Sequence, residues 1–272
     1  MMTTAVSSSP LIEVRGLKKY FGSSERPVRA VDDVSFAIQP GETLGLVGES
    51  GSGKSTIGRT VLRLVERTDG QVLYRGDDIG GLSSERMRKL RSKLQIIFQD
   101  PYASLNPKMR ISAILGEALS THGLHKGAAA RDKRIAELLE TVGLRPEHAS
   151  RFPHEFSGGQ RQRIGVARAL ALEPRLIVLD EPVSALDVSV QAQILDLLAD
   201  LQSELGLSYL FISHDLAVVR QVAHEVAVLQ HGRVVEHGEV EAVFAHPSDP
   251  YTAELLSAIP GVRVRTGEGG AS

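Results

Sequence analysis

Between the apolar run TLGLV, Thr43 to Val47, and the helically spaced KSTIGRTVLRLV lies GESGSGKST, running from Gly48 to Thr56. Each ordered glycine costs backbone entropy, so three of them within six residues imply a chain path or a close approach that a Cβ would block. Little in the segment can pack, and a ligand is expected very near its main chain. The run before it reads as a strand. After it, Ile57, Val61, Leu62 and Val65 recur at helical spacing, so the loop joins a strand to a helix.

Strand, G-x-x-x-x-G-K-[ST], helix is the pattern of a phosphate-binding loop. The N–H groups along Gly48, Glu49, Ser50, Gly51, Ser52 and Gly53 can ring phosphate oxygens, and the helix N-terminus at Lys54, Ser55 and Thr56 adds a favourable dipole. Lys54 puts a full positive charge on the terminal phosphates, and Ser55 is placed to ligate Mg²⁺. The bland alternative is a flexible glycine-rich turn, yet chance matching at ordinary residue frequencies is on the order of one per cent per chain. LIVLDEP supplies what hydrolysis needs next. Asp180 follows an apolar strand and is expected at the sheet's carboxyl edge, holding Mg²⁺, while Glu181 points elsewhere and is the candidate general base. Alone, DEP is an ordinary strand-ending turn; after a phosphate loop the catalytic reading is preferred.

Bulk properties narrow the partners. The 272 residues are 42% hydrophobic and 24% charged with a net charge of -2, which suits one large domain and offers no global field for nucleic acid or an acidic membrane. Zero cysteines exclude disulfides and cysteine-ligated metal sites. MMTTAVSSSP does not read as a secretory signal, and no run approaches the roughly 18 apolar residues of a membrane span.

Leu11 to Val47 reads as short strands, with QPGE at Gln39 to Glu42 favouring a hairpin, so an antiparallel β region opens the fold. GQVLYRGDDI returns to strand character. Ser83 to about Ser150 reads as a polar, mostly helical insertion with breaks at NPKMR and HKGAAA. LIVLD and YLFIS, short and apolar with a helical segment between, suit parallel strands buried on both faces. ERMRKLRSK carries five cations from Arg86 to Lys93 without interleaved aromatics, which favours a solvated helix face over a nucleic-acid site. The histidines show no close ligand spacing. Residues 1–10 and 261–272 are expected to be disordered.

FSGGQRQR, Phe156 to Arg163, closely resembles the signature of ATP-binding-cassette (ABC) ATPases, and the motif order across nearly the whole chain is similar to that family. Gln99 resembles its Q-loop glutamine, SALD (Ser184 to Asp187) its D-loop, His214 in ISHD its switch histidine, and Tyr20 in KKYF its adenine-stacking aromatic. Phe156 departs from the common leucine; Ser157, Gly158, Gly159 and Gln160 match. Taken singly, each has a plainer reading as a cap, turn, surface amide or core aromatic. The resemblance implies an α/β fold: a P-loop NTPase with a RecA-like parallel core, an antiparallel β subdomain and an α-helical subdomain at about 83–170, within a cassette at 11–245. It also implies ATP and Mg²⁺ as ligands, Gln99, Glu181 and His214 at the chemistry, and Gln99 also at the metal. Ser157 to Gln160 would close on the γ-phosphate bound by a second ATPase subunit.

QDPYASLNP (Gln99 to Pro107) and HPSDPYTAELLSAIP (His246 to Pro260) resemble the ATP-binding subunits of dipeptide and oligopeptide importers. The second stretch also reads as a proline-bounded amphipathic helix presenting Ala253, Leu256 and Ile259. The resemblance implies integral membrane permease subunits, an extracytoplasmic solute-binding protein, and a place on the cytoplasmic face of the membrane. Peptides are the expected solute, with nickel or another small solute open. A soluble ABC ATPase acting as a clamp on ribosomes or DNA is the alternative; such proteins usually fuse two cassettes or insert a coiled coil. A GTPase fits worse, for no [NT]-K-x-D segment reads guanine.

Overall fold

A computed structural model describes residues 9–23, 25–100 and 104–259. In chain order the first elements are β1 (Ile12–Phe21), β2 (Val28–Ile38), β3 (Thr43–Val47), α1 (Lys54–Val61), β4 (Asp69–Tyr74) and β5 (Asp77–Asp78). There follow α2 (Ser84–Arg91), β6 (Leu94–Ile97), α3 (Ile111–Thr121), α4 (Ala128–Thr141), α5 (Gly158–Leu170), β7 (Leu176–Asp180) and α6 (Val188–Leu205). The last are β8 (Ser208–Ser213), α7 (Leu216–Val222), β9 (Glu225–Gln230), β10 (Arg233–Glu239), α8 (Val240–Ala245) and α9 (Pro250–Ser257). Among the described residues, those up to Leu82 and from Ser208 onward make one compact unit and Ser83–Leu207 the other.

The first unit holds the antiparallel region that the sequence predicts, in the order β2, β1, β4, β5. It also holds β3, whose five residues are all buried. Burial on both faces is what an interior strand of a parallel sheet shows, and β3 lies between parallel neighbours, β8 on one edge and β9 on the other. That placement overturns the QPGE hairpin. Glu42 N–H does donate to Gln39 O at 3.2 Å, closing a turn, but the turn sends the chain from one sheet to another. Ile38 ends β2 opposite Ile12, whereas Thr43 opens β3 opposite Tyr209. Helix α7 reaches β3 where Gly45 has no side chain; a Cβ there would overlap Val219 Cγ1.

Helix α1 stops at Val61, short of the expected Val65. Arg63 takes a φ of 50° and sends its guanidinium to the carbonyls of Ile79 and Leu82, at 3.2 and 2.7 Å. The β9–β10 antiparallel pair was not foreseen in the sequence either.

In the second unit α3, α4 and α5 pack together over Leu115, Leu119, Leu139 and Ile164, all fully buried. Burial of such side chains is worth about 1.5–3 kcal/mol each. The helical insertion predicted from Ser83 is interrupted: Leu94–Ile97 is a strand paired in parallel with β7. Four residues are too few to show a period, so the polar helix before them dominated the sequence pattern. Met87 is the buried residue of α2, and Arg86, Arg88, Lys89 and Arg91 are exposed, a solvated face as expected.

No helix among the described residues is long and apolar enough to cross a membrane. The expected disordered ends lie outside the described residues except for Ser9 and Pro10, as do Pro260 and residues 101–103 of the DPYASLNP stretch.

Candidate nucleotide site

The phosphate loop leaves the carboxyl end of β3. Gly48, Gly51 and Gly53 have φ of 147°, 82° and 108°, a region that side chains rarely enter. At two of them space is also closed: a Cβ on Gly48 would overlap Leu229 O and one on Gly53 would overlap Ala30 O. Gly232 N–H donates to Ser52 O at 2.9 Å and fixes the far side of the loop. Lys54 is buried, and its ammonium donates to Gly48 O and Glu49 O, both at 2.7 Å, and to Ser52 Oγ at 3.4 Å. Helix α1 starts from Gly53 with no side-chain cap, and its dipole places partial positive charge at that end. Ser55 and Thr56 lie in that first turn.

His214 follows β8 and is exposed. Register pairs Val47 with Ser213, so the phosphate loop and His214 leave the same edge of adjacent strands. Asp215 fixes the exit by accepting from Ala217 N–H at 2.8 Å as the cap of α7. Tyr20, near the end of β1, donates its hydroxyl to Asp32 Oδ1 at 2.5 Å. Arg233 Nη2 donates to Asp32 Oδ2 at 2.6 Å, and the Arg29 guanidinium carbon lies 5.5 Å from the Tyr20 ring centre. The Tyr20 bond, with Arg233, holds the Asp32 carboxyl down to about 2, and the same bond raises the phenol. Asp32 and Arg233 were not read from the sequence as site residues; they became visible only when β10 was placed.

In the second unit, the β6–β7 pairing explains how two distant residues meet. Ile97 lies opposite Leu179, so two residues on, Gln99 comes beside Glu181, and its Nε2 donates to Glu181 Oε2 at 2.8 Å. Glu181 has a φ of 50°, which turns the chain sharply after the buried Asp180. Ser184 Oγ donates to Glu181 O at 3.2 Å, tying the D-loop to the same turn. Ser157 caps α5: its Oγ accepts from Gln160 N–H at 3.3 Å, and Gln160 Oε1 accepts from Ser157 N–H at 3.1 Å. This reciprocal box leaves the N–H groups of Gly158 and Gly159 without a side-chain cap. A Cβ on Gly159 would overlap Val190 Cγ1 of α6.

Each unit thus carries its own set: Tyr20, the phosphate loop and His214 in the first; Gln99, the signature, Asp180 and Glu181 in the second. The Ser55 hydroxyl, the Gln99 amide oxygen and the Asp180 carboxylate are hard oxygen donors, a chemistry that fits Mg²⁺. Among the described residues, no group of three or more His, Cys, Asp or Glu side chains could hold a metal ion. The sequence also missed Tyr251: its hydroxyl accepts the Glu49 N–H at 3.1 Å. In α9 the buried residues are Thr252 and Leu256 and Ala253 is half-buried, as is Ile259 beyond the helix end.

Residues 31–184 match the family described as ABC transporter. The chain is 55% identical over 264 residues to the glutathione import ATP-binding protein GsiA of Salmonella paratyphi A, covering 94% of this chain and 42% of that protein. It is 54% identical to the oligopeptide transport ATP-binding protein OppF of Bacillus subtilis, covering 92% of this chain and 82% of the other. So it spans less than half of the first relative and most of the second. Among solved structures, cbiO1 from Clostridium perfringens, part of the ABC transporter complex cbiONQ, superposes with a TM-score of 0.77 at 27% identity, over 87% of this chain and 91% of that one. The ATP-binding cassette MJ0796, in a dimeric post-hydrolysis state bound to ADP and Pi, gives a TM-score of 0.75 at 28% identity, over 84% and 98%. Motif order, fold and these similarities agree, and the chain belongs to the ABC transporter family.

Proposed function

We propose that the chain is the ATP-hydrolysing subunit of an importer and drives peptides through separate membrane subunits. The observation that carries this reading is the phosphate loop: closed by backbone on two sides, uncapped at its helix, and holding Lys54 through its own carbonyls. An ammonium already held by two carbonyls can pass to phosphate oxygens with little reorganisation. Bound Mg²⁺ would neutralise phosphate charge, and Ser55, Gln99 and Asp180 are the residues assigned to hold it. Tyr20, its ring fixed by Asp32, is assigned to adenine.

Glu181 is the general base. The Gln99 amide orients its carboxylate, and a carboxylate held in one direction takes a proton from an attacking water more effectively than a mobile one. His214 is assigned to the γ-phosphate, and Ser157 with Gly158 and Gly159 to the γ-phosphate of a second ATPase subunit. The helical segments of the second unit are assigned to the permease, which places the chain on the cytoplasmic face of the membrane. A solute-binding protein would deliver the cargo outside. Names of relatives support the solute class: glutathione is itself a short peptide, so glutathione import and oligopeptide transport fall in one class.

The test is uptake. The chain is purified with its co-expressed membrane subunits, reconstituted in vesicles and supplied with labelled di- to pentapeptides and the binding protein. ATP-dependent accumulation, absent with Lys54→Ala, is the expected result. Hydrolysis that responds to no peptide, with no peptide taken up, removes the solute assignment; no hydrolysis by the intact complex removes the whole reading.

A further inference from the structure

Tyr251 belongs to α9, within the HPSDPYTAELLSAIP stretch and apart from the nucleotide motifs, yet it touches the phosphate loop. Its hydroxyl accepts the Glu49 N–H at 3.1 Å. That N–H shares one peptide group with the Gly48 carbonyl, which accepts from Lys54 Nζ at 2.7 Å. A trans peptide is planar, so its N–H and C=O point in opposite directions and one cannot turn without the other. Fixing the N–H from α9 therefore fixes the carbonyl that holds the ammonium.

The far end of this connection is anchored as well. Glu236 on β10 is only 8% exposed, and its carboxylate accepts from Ser248 N–H at 2.7 Å, Ser248 Oγ at 2.9 Å and Asp249 N–H at 3.2 Å. Asp249 Oδ1 in turn accepts from Tyr251 N–H at 2.9 Å and caps the helix. We infer that Tyr251 is a positioning residue of the ATPase: from α9 it sets the Gly48–Glu49 peptide and, through it, the place of the Lys54 ammonium. This rests on the phosphate-loop reading of Lys54. The hydroxyl acts as an acceptor here, a role phenylalanine cannot fill while it keeps the ring.

Tyr251→Phe in the full chain tests the idea. A single hydrogen bond of ordinary strength corresponds to about 3- to 10-fold in affinity. MgATP dissociation constants and KM are expected to rise by that factor with kcat nearly unchanged, because Lys54 holds phosphate in the ground and transition states alike. The thermal midpoint without nucleotide should stay at the wild-type value, since the freed Glu49 N–H is open to water. Leu256→Ala, which empties a fully buried site on the same helix, should lower the midpoint and leave nucleotide affinity alone. Wild-type affinity in Tyr251→Phe, while Lys54→Ala has lost binding, overturns the positioning role and keeps the phosphate-loop reading. Equal affinity losses in Tyr251→Phe and Leu256→Ala also overturn it, as a general packing effect. Wild-type affinity in Lys54→Ala overturns the phosphate-loop reading and the inference with it.

Discussion

Phe156 stands where the common signature begins with leucine, and its surroundings account for it. Its ring is buried and meets His148 edge-on, with centroids 5.4 Å apart and planes at 85°. An aromatic ring fills the space beside a flat imidazole better than a branched aliphatic does. Burial, helped by the charges of Arg151 and Arg145, pushes the His148 imidazole below its ordinary value. The folded chain therefore resists the proton that the unfolded chain accepts. Stability from this residue is complete above the ordinary histidine value of about 6.5 and is lost as pH falls below it. The carboxyls held low, Asp32, Asp78 and Glu236, titrate further down and leave that window clear. We expect the urea midpoint to be lower at about pH 5.5 than at about pH 8, and His148→Gln to remove much of the difference. Equal pH dependence in the two proteins would contradict this assignment. At this scale the sequence exposed residue types well, since Lys54, Glu181 and Gln99 lie in ordered motifs. It could not expose partners: Gln99 meets Glu181 through the pairing of distant strands, Tyr20 meets Asp32 across β1 and β2, and Phe156 meets His148 across a local turn region.

Elements decide which glycines matter. Gly48 and Gly41 both have positive φ, at 147° and 81°, but a Cβ at Gly48 would overlap Leu229 O, whereas nothing lies within 4 Å of one at Gly41. Gly41→Ala should cost only the backbone penalty, about 1–2 kcal/mol. Gly48→Ala adds displacement of a β9 carbonyl, giving about 2–5 kcal/mol in sum. Urea unfolding of the two variants measures the difference, and equal losses would mean that β9 does not wall the loop. The same logic shows what was legible in the elements. Strands β3, β7 and β8 were readable because the apolar runs LGLV, LIVL and YLFI have few other uses. Strand β6 was not, for LQII is short and follows closely on the charged helix α2. The QPGE turn was read correctly as a turn and wrongly as a hairpin, because turn chemistry says where a chain reverses and burial says which sheet it joins.

For the whole molecule the test is assembly. If Glu181 is the base, Glu181→Gln keeps its shape and slows hydrolysis by roughly 10² to 10⁴. Unspent ATP should then hold two cassettes together, visible by size-exclusion chromatography with MgATP, absent with ADP, and abolished by adding Ser157→Arg. A co-expressed similar cassette serves if the chain does not pair with itself; a monomer in every condition, even then, would count against the shared-nucleotide scheme. Ser157 gives that scheme a further property. Its oxygen accepts from Gln160 N–H at 3.3 Å, closing its own helix, while a hydroxyl that accepts can still give its proton away. The hydroxyl that the proposal assigns to a second subunit's nucleotide is therefore held by the first turn of α5. Under the proposed scheme, fraying of the first turn of α5 would loosen the donor offered to the second subunit, so the order of that turn in one chain would bear on the nucleotide of the other.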